Sequence, residues 1–259
     1  SLSESSIAKS KLGDYVKLTG TEAHHAVAVR RVRNGEVIRI GNGAGVVLRC
    51  QVESADKDEL AAKVIEVLPV EASTLKITLV QALAKGDRDE LAIQAATELG
   101  VSQVIPWQAE RSISLWNKEK AAKQQLRWQS ICTEAAKQSL RSTIPVVQPL
   151  ATTAELVSQL SDFEMVLVLD PEAKQSMFEL AIHPGIELAL IVGPEGGISG
   201  TELEIFQDAG FGALRLGSSV LRTSTAGPAA IAALQSRWGD WGPRGEESKL
   251  NLSSEEKFE

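Results

Sequence analysis

Short runs of alternating apolar and polar residues dominate the first quarter of the chain. Residues 37–40, 46–52 and 61–67 are rich in Val, Ile and Leu, and Asn42-Gly43 between the first two runs is a hairpin signal. Only residues 24–29 have helical character in this part. The pattern predicts a small β-rich domain over residues 1–68.

Beyond a linker at residues 68–71, apolar strand patterns alternate with helical ones. Residues 75–83, 101–106 and 165–169 predict buried strands, and residues 87–99 and 118–140 predict helices. Asp87 with Glu90 has the spacing of a helix N-cap with its capping box, and Gly100 gives a C-terminal stop. This alternation predicts an α/β domain with a mainly parallel sheet over residues 72–243. A polar tail, residues 244–259, is predicted to be disordered.

Two small-residue loops follow neighbouring strand patterns near the end of the α/β domain. The turn GPEGG, residues 193–197, follows the strand at 188–192, and Ser199 with Glu202 predicts a capped helix directly after it. The loop at 217–219 follows a strand at about 213–216, and a helix is predicted next with Pro228 in its first turn. Loops at the same ends of adjacent strands form the ligand site of such sheets.

The GPEGG turn matches neither common phosphate-binding glycine motif. Glu195 at its centre would repel a phosphate, which favours a ligand with hydroxyls, an amine or a positive centre. The alternative is a tight turn whose glycines only supply positive φ angles.

Composition restricts the class of protein further. The net charge is −7, but residues 1–68 carry 10 Lys/Arg against 9 Asp/Glu, and residues 69–259 carry 17 against 25. Local basic clusters are therefore the place to look for nucleic-acid contacts. Cys50 and Cys132 are too few for a disulfide framework or a zinc site. No run is long and apolar enough to span a membrane, and no signal peptide is visible, so we expect a cytoplasmic protein.

The two loops carry a family resemblance. Residues 191–199, IVGPEGGIS, resemble the GPEGG signature of the RsmE family, and residues 216–226, LGSSVLRTSTA, resemble its LG-x-x-(aliphatic)-LR-T-x-T-A signature. Members of this family are 16S ribosomal RNA uracil-N3 methyltransferases of the SPOUT superfamily. The resemblance implies S-adenosylmethionine as methyl donor, a homodimer, a trefoil knot in the C-terminal domain and a PUA-like β-barrel at the N-terminus.

The resemblance also implies a donor-binding set from three loops. The residues are Leu169, Val192, Gly193, Glu195, Gly196, Gly197, Leu216, Gly217, Val220, Leu221, Thr223 and Thr225.

RNA contacts are expected from basic and polar positions that match the family pattern. Arg30, Arg31 and Arg33 place three guanidiniums in four residues, although a solvated basic helix end is the alternative. Lys85 is expected to touch RNA phosphate or the target base, and Gln138 is expected to face the substrate. Either residue is otherwise a plain surface side chain. The resemblance implies 16S rRNA or the small ribosomal subunit as the partner.

Catalysis is assigned to Arg222, Glu134 and Arg141. Glu134, Gln138 and Arg141 have the spacing of one helix face, for which a solvent-exposed salt-bridged stripe is the alternative. An arginine would stabilise the developing uracil oxyanion. The family usually has an acidic residue between the two threonines, where this chain has Ser224, so an essential base at that position is not supported. No metal site is expected.

Three other functions remain open from the sequence. One is a SPOUT methyltransferase that acts on another RNA site. Another is a non-catalytic RNA-binding assembly factor, which would bind RNA but not the methyl donor. The third, if the motif match is accidental, is a soluble α/β protein that binds a nucleotide such as ATP or NAD, which Glu195 disfavours.

Overall fold

The computed structural model describes residues 7–69, 74–241 and 257–258, and the chain separates into two units. The first unit comprises residues 1–72, 140–144 and 244–259, and the second comprises residues 73–139 and 145–243. The predicted linker overlaps residues 70–73, and the predicted tail begins at residue 244. Both lie outside the described residues, apart from the linker's first two residues and residues 257–258.

The first unit is built on an antiparallel sheet. Its strands are β1 (Tyr15–Thr19), β2 (Val37–Gly41), β3 (Val47–Asp56) and β4 (Glu59–Leu68), with the two-residue β11 (Lys257–Phe258) beside β2. The order is β1-β4-β3-β2-β11, and only the β11–β2 pair is parallel. Alternate residues of β3, namely Leu48, Cys50 and Val52, are buried, as the period of two requires. The predicted β-rich character of this part is confirmed.

The early helix and the hairpin of this unit form where the sequence predicts them. Helix α1 (Thr21–His24) continues as a π-helical turn over His25–Val29. In the hairpin, Asn42 Oδ1 accepts hydrogen bonds from the backbone N–H groups of Ala44 and Val46, and Gly43 has φ +68°. Asn42 therefore closes the turn through its side chain.

The second unit is a parallel sheet flanked by helices. Its sheet order is β10-β8-β9-β5-β6-β7, and every neighbouring pair is parallel. This confirms the predicted α/β class. In chain order its elements are β5 (Lys76–Ala82), α2 (Arg88–Glu98), β6 (Gln103–Trp107), α3 (Lys118–Gln138), β7 (Val146–Val147), α4 (Thr153–Gln159), β8 (Met165–Leu169), a 3₁₀ turn (Met177–Glu179), β9 (Glu187–Val192), α5 (Gly200–Asp208), β10 (Gly212–Leu214) and α6 (Thr223–Trp238).

Each face of the parallel sheet has its own core. Along β5, Ile77 and Leu79 point to one cluster with Ile231 and Leu234 of α6. Val80 belongs to the cluster on the other face, which includes Trp107 and Phe206. Burial on both faces explains why these strands are continuous apolar runs in the sequence.

Three predicted details of the helices are wrong. Helix α6 begins at Thr223, so Pro228 lies inside the helix instead of in its first turn. Asp87 is the N-cap residue of α2, as predicted, but it has φ +59° and its side chain makes no capping hydrogen bond. The predicted capping box is wrong, because Glu90 N donates to Asp89 Oδ1 and the Glu90 carboxylate is bonded to Arg127 on α3. Helix α3 ends at Gln138 and Leu140 has φ +59°, so Arg141 does not share a helix face with Glu134.

Candidate functional site

A cleft of about 460 Å³ lies at the carboxyl ends of β8, β9 and β10. Three loops surround it, at residues 169–171, 193–198 and 216–223, and two of them are the motif loops of the sequence. We call it the motif cleft. Its position at the carboxyl edge of a parallel sheet is the usual place for a ligand in this class of fold.

Most residues predicted to bind the methyl donor line the motif cleft. Gly196 and Thr225 are the exceptions, since neither is among its lining residues. The others are Leu169, Val192, Gly193, Glu195, Gly197, Leu216, Gly217, Val220, Leu221 and Thr223.

The GPEGG turn is held in one shape by close packing and by the helix after it. A Cβ atom on Gly193 would lie 2.7 Å from Ile198 Cγ1, and Gly197 has φ +73° with its N–H bonded to Pro194 O at 2.9 Å. Ser199 and Glu202 form the predicted capping box of α5. The buried Glu202 carboxylate also accepts hydrogen bonds from Glu110 N and Thr153 Oγ1, which ties the turn to two other elements.

A buried hydrogen-bond chain connects the two motif loops through the central strand. Gln81 Nε2 at the end of β5 donates to Thr223 Oγ1 at 2.9 Å, and Thr223 Oγ1 donates to Gly193 O at 2.8 Å. Gln81 is fully buried and its Oε1 atom has no hydrogen-bond partner in the described structure. The Thr223 hydroxyl thus fixes the start of α6 against the GPEGG turn.

Glu195 is engaged with the neighbouring turn. Its Oε1 atom accepts hydrogen bonds from the backbone N–H of Lys85 at 3.0 Å and from Arg88 Nη1 at 3.1 Å. The sequence analysis expected the Glu195 carboxylate to face a ligand. In the structure its negative charge is opposed by the guanidinium of Arg88. Glu195 joins the GPEGG turn to the turn after β5.

The loop at residues 216–222 leaves its backbone donors available. None of its N–H groups donates a hydrogen bond within the part of the chain that the structure describes. Its apolar side chains Val220 and Leu221 are exposed, Val220 to 78%. Free N–H groups beside apolar side chains can bind the polar edge and the faces of a flat heterocycle.

The three predicted catalytic residues do not come together in one chain. Arg222 lines the motif cleft. Glu134 lies exposed on α3 and lines a separate groove of about 330 Å³ with Gln138, Glu90 and Arg127. Arg141 follows the end of α3 and belongs to the first unit.

The predicted RNA-contact residues are mostly exposed. Arg31 and Arg33 are exposed and Arg30 is half-buried, just after the π-helical turn. Lys85 and Gln138 are exposed in the second unit, Lys85 at the turn after β5 and Gln138 on the last turn of α3.

Several lining residues of the motif cleft were not predicted from the sequence. Arg88 and Leu203 enter from α2 and α5. Asp170 and Pro171 also line the cleft, in the loop after Leu169 that the family resemblance assigns to the cofactor pocket. Arg88 gave no signal in the sequence, because its place in the cleft depends on its bond to Glu195.

Other kinds of site find no support in the described residues. They contain no group of three or more His, Cys, Asp or Glu side chains placed to hold a metal ion. None of the helices that the structure describes is both long enough and apolar enough to cross a membrane.

Comparison with protein families gives two matches that divide the chain. The RNA methyltransferase domain matches residues 71–235, and the RNA methyltransferase PUA domain matches residues 18–65. Ribosomal RNA small subunit methyltransferase E of Mycobacterium bovis is 41% identical over 233 residues, covering 87% of this chain and 89% of that protein. The Bacillus subtilis protein of the same name is 33% identical over 230 residues, covering 84% of this chain and 88% of that protein.

Solved structures agree with these relatives. Ribosomal RNA small subunit methyltransferase E from Neisseria gonorrhoeae, bound to S-adenosyl methionine, superimposes with a TM-score of 0.82 at 33% identity and covers 90% of this chain and 96% of its own. A putative methyltransferase from Legionella pneumophila, in complex with the bound cofactor, has a TM-score of 0.80 at 33% identity with the same coverage.

Proposed function

The chain belongs to the RNA methyltransferase family that includes ribosomal RNA small subunit methyltransferase E, and we propose that it methylates N3 of a uridine in small-subunit ribosomal RNA. S-adenosylmethionine is the methyl donor. The observation that carries the proposal is the motif cleft, where both motif loops meet at the carboxyl edge of the parallel sheet. The choice of uridine N3 comes from the family resemblance of those loops.

The motif cleft suits S-adenosylmethionine in size and chemistry. About 460 Å³ lies within the usual range for a cofactor of this size. The free N–H groups of residues 216–222 and the apolar Val220 and Leu221 fit an adenine ring. Asp170 is the carboxylate in the cleft without an opposing guanidinium bond, and it fits the amine or the ribose hydroxyls. When bound, the donor supplies a methyl group on a positively charged sulfur.

The protein's own residues position the acceptor and balance its charge. Attack by N3 requires that its proton leaves, and negative charge then spreads over the two uracil oxygens. We assign Arg222, which lines the motif cleft, to opposing the negative charge that develops beside the donor. The target atom lies on the Watson–Crick edge, so the uridine must be unpaired or flipped out.

The first unit supplies RNA affinity in this proposal. Arg30, Arg31 and Arg33 would contact phosphates, which position RNA without reading its sequence. We expect the reaction where ribosomal subunits assemble, in the cytoplasm.

We also infer a homodimer from the family resemblance. Exposed apolar side chains around the carboxyl edge of the second unit support it, namely Leu91, Ile113, Leu115 and Val220. A partner subunit would also provide a way to bring Glu134 or Gln138 to a motif cleft, since one chain does not place them there.

The test combines donor binding with identification of the product. We expect micromolar binding of S-adenosylmethionine by calorimetry, and 3-methyluridine in small-subunit rRNA after incubation with unmodified small subunits. A folded protein that binds RNA but no donor would support the assembly-factor alternative. A methylated nucleoside other than 3-methyluridine would support a different RNA site.

A further inference from the structure

A second cleft, of about 360 Å³, lies next to the motif cleft in the second unit. Its walls are the turn after β5, the first turn of α2, the loop before α3 and the first half of α3. We call it the tryptophan cleft, after Trp116 and Trp128. The two clefts come close at the start of α2: Lys85 and Asp89 line this cleft, and Arg88 between them lines the motif cleft. Glu195 accepts hydrogen bonds from Lys85 N and Arg88 Nη1.

Two nearly buried tryptophans give this cleft hydrogen-bond donors. Trp116 is 9% exposed and Trp128 is 1% exposed, and their rings meet edge to face with centroids 5.0 Å apart. Neither indole N–H donates to an oxygen or nitrogen within the described part of the chain. Because an edge-to-face pair directs only one ring's edge at the other ring's face, at least one indole N–H is not directed at the partner ring. Lys85 and the amide of Gln124 add two more donors.

Asp89 gives the same cleft a buried acceptor. It is 6% exposed, and each of its oxygens accepts one backbone hydrogen bond, Oδ2 from Ala84 N at 3.0 Å and Oδ1 from Glu90 N at 2.8 Å. A carboxylate has about four acceptor positions, so capacity remains for a ligand. Burial raises the pKa of the Asp89 carboxyl above its usual value, which makes it a stronger base. Glu90 does not compete, because its carboxylate is bonded to Arg127.

This combination suits one nucleobase edge. The imide edge of uracil presents an acceptor, a donor and an acceptor in the order O4, N3–H, O2. Its complement is an acceptor flanked by donors, which Asp89 and the indole, ammonium and amide groups can supply. Cytosine presents an amino donor and an unprotonated N3, so Asp89 would face a lone pair. A phosphate would be repelled by Asp89.

We propose that the tryptophan cleft receives the uracil ring of the target nucleotide, with Asp89 as the acceptor of the N3 proton; this rests on the proposed function. In the step, the N3–H bond breaks and its proton passes to the Asp89 carboxylate. The N3 electron pair forms the bond to the methyl carbon. The bond from that carbon to sulfur breaks, and sulfur keeps the electron pair as a neutral thioether. The proton then passes to water.

Two variants test this assignment in the full-length protein. Asp89→Asn removes the base but keeps an oxygen, and Trp116→Phe removes one indole N–H but keeps an aromatic ring. The exposed Trp241 serves as the matched control through Trp241→Phe. Turnover is measured on unmodified small ribosomal subunits with radiolabelled donor, alongside calorimetric donor affinity and the melting temperature.

We expect Asp89→Asn to lower kcat by about 10²-fold or more, as for loss of a general base. Trp116→Phe should lower kcat/KM about tenfold, the usual scale for one lost hydrogen bond in a desolvated site. Donor affinity should stay within about twofold for both, and RNA affinity should change little because phosphate contacts dominate it. Trp241→Phe should match the wild type.

Turnover of both cleft variants within about twofold of the wild type would overturn the assignment. Parallel loss of donor affinity would also overturn it, because the two residues would then act through the motif cleft. Failure of the proposed function is distinct, since the wild type itself would bind no donor or form no 3-methyluridine.

A nucleotide titration separates base recognition from fold defects. The protein is first saturated with S-adenosylhomocysteine, the product left by the donor. The indole N–H signals of the wild type are then followed by NMR as uridine or cytidine 5′-monophosphate is added. The signal that is absent from the Trp116→Phe spectrum is assigned to Trp116. The Trp116 signal should shift with the uridine nucleotide only. Equal shifts with both nucleotides, or none with either, would contradict the proposal.

Discussion

Gly196 marks the position in the GPEGG turn where a side chain meets another loop. A Cβ atom there would lie 3.2 Å from Arg111 Cβ and 3.4 Å from Arg111 O, and Arg111 Nη1 donates to Gly196 O at 3.2 Å. We predict that Gly196→Ala displaces the turn and weakens S-adenosylmethionine binding by about tenfold, measured by calorimetry. Gly200→Ala is the control, because a Cβ on Gly200 meets nothing within 4 Å. Equal donor affinities of the two variants would contradict the prediction.

Thr223 is the residue through which Gln81 acts on the motif cleft. Thr223→Val keeps the shape but removes the hydroxyl, so Gly193 O and Gln81 Nε2 lose a buried partner. We predict a loss of about 2 kcal/mol in unfolding free energy together with weaker donor binding. Thr223→Ser should restore both quantities, measured by urea unfolding and calorimetry. If serine behaves like valine, packing of the methyl group is the main contribution of Thr223.

Cys50 illustrates a residue made inert by its surroundings. Burial raises the pKa of its thiol from 9.0 to about 12. Because the folded pKa lies above the unfolded one, this stabilising contribution is complete below pH 9 and is lost as pH rises toward 12. We predict that iodoacetamide at pH 8 leaves Cys50 unmodified in the native protein and alkylates it in guanidinium, as read by mass spectrometry. Modification of the native protein at the unfolded rate would exclude this environment.

At the scale of elements, capping boxes allow stability and function to be separated. Ser199 caps α5 directly after the GPEGG turn, and Thr152 caps α4, which the motif cleft does not include. We predict that Ser199→Ala and Thr152→Ala each cost about 1 kcal/mol of unfolding free energy. Only Ser199→Ala should weaken donor binding in calorimetry. A loss of binding in both variants would indicate a general loss of stability as the cause.

Element types followed from the sequence wherever the local pattern was strong. The S-x-x-E spacing at Ser199 gave a capping box because both partners lie within one turn. Asp87 also occupies its predicted N-cap position, but no capping box forms there, because Glu90 N donates to Asp89 Oδ1 and the Glu90 carboxylate bonds to Arg127, 37 residues away. The start of α6 was misplaced at Pro228 because Thr223 is held by Gln81 and Gly193, and neither contact is visible in local spacing.

For the whole molecule, the family resemblance predicts a dimer. We predict a mass of twice 27.8 kDa by light scattering at micromolar concentration. The physical reason is the exposed apolar set at the carboxyl edge of the second unit, with Leu91, Ile113 and Leu115 each more than half exposed. A monomer mass across the whole concentration range would contradict the inference.

The sequence by itself determined the fold class, the division into a β-rich and an α/β part, and most of the motif cleft. These follow from short-range information, since strand and helix periods are local and each motif loop is contiguous. Only the tertiary structure decided which groups face one another. It joined Glu195 to Arg88, Thr223 to Gln81, and Asp89 to Trp116 and Trp128, while it separated Glu134 from the motif cleft. Those pairings depend on which strand ends become neighbours in the sheet, and that order is fixed by packing between distant segments.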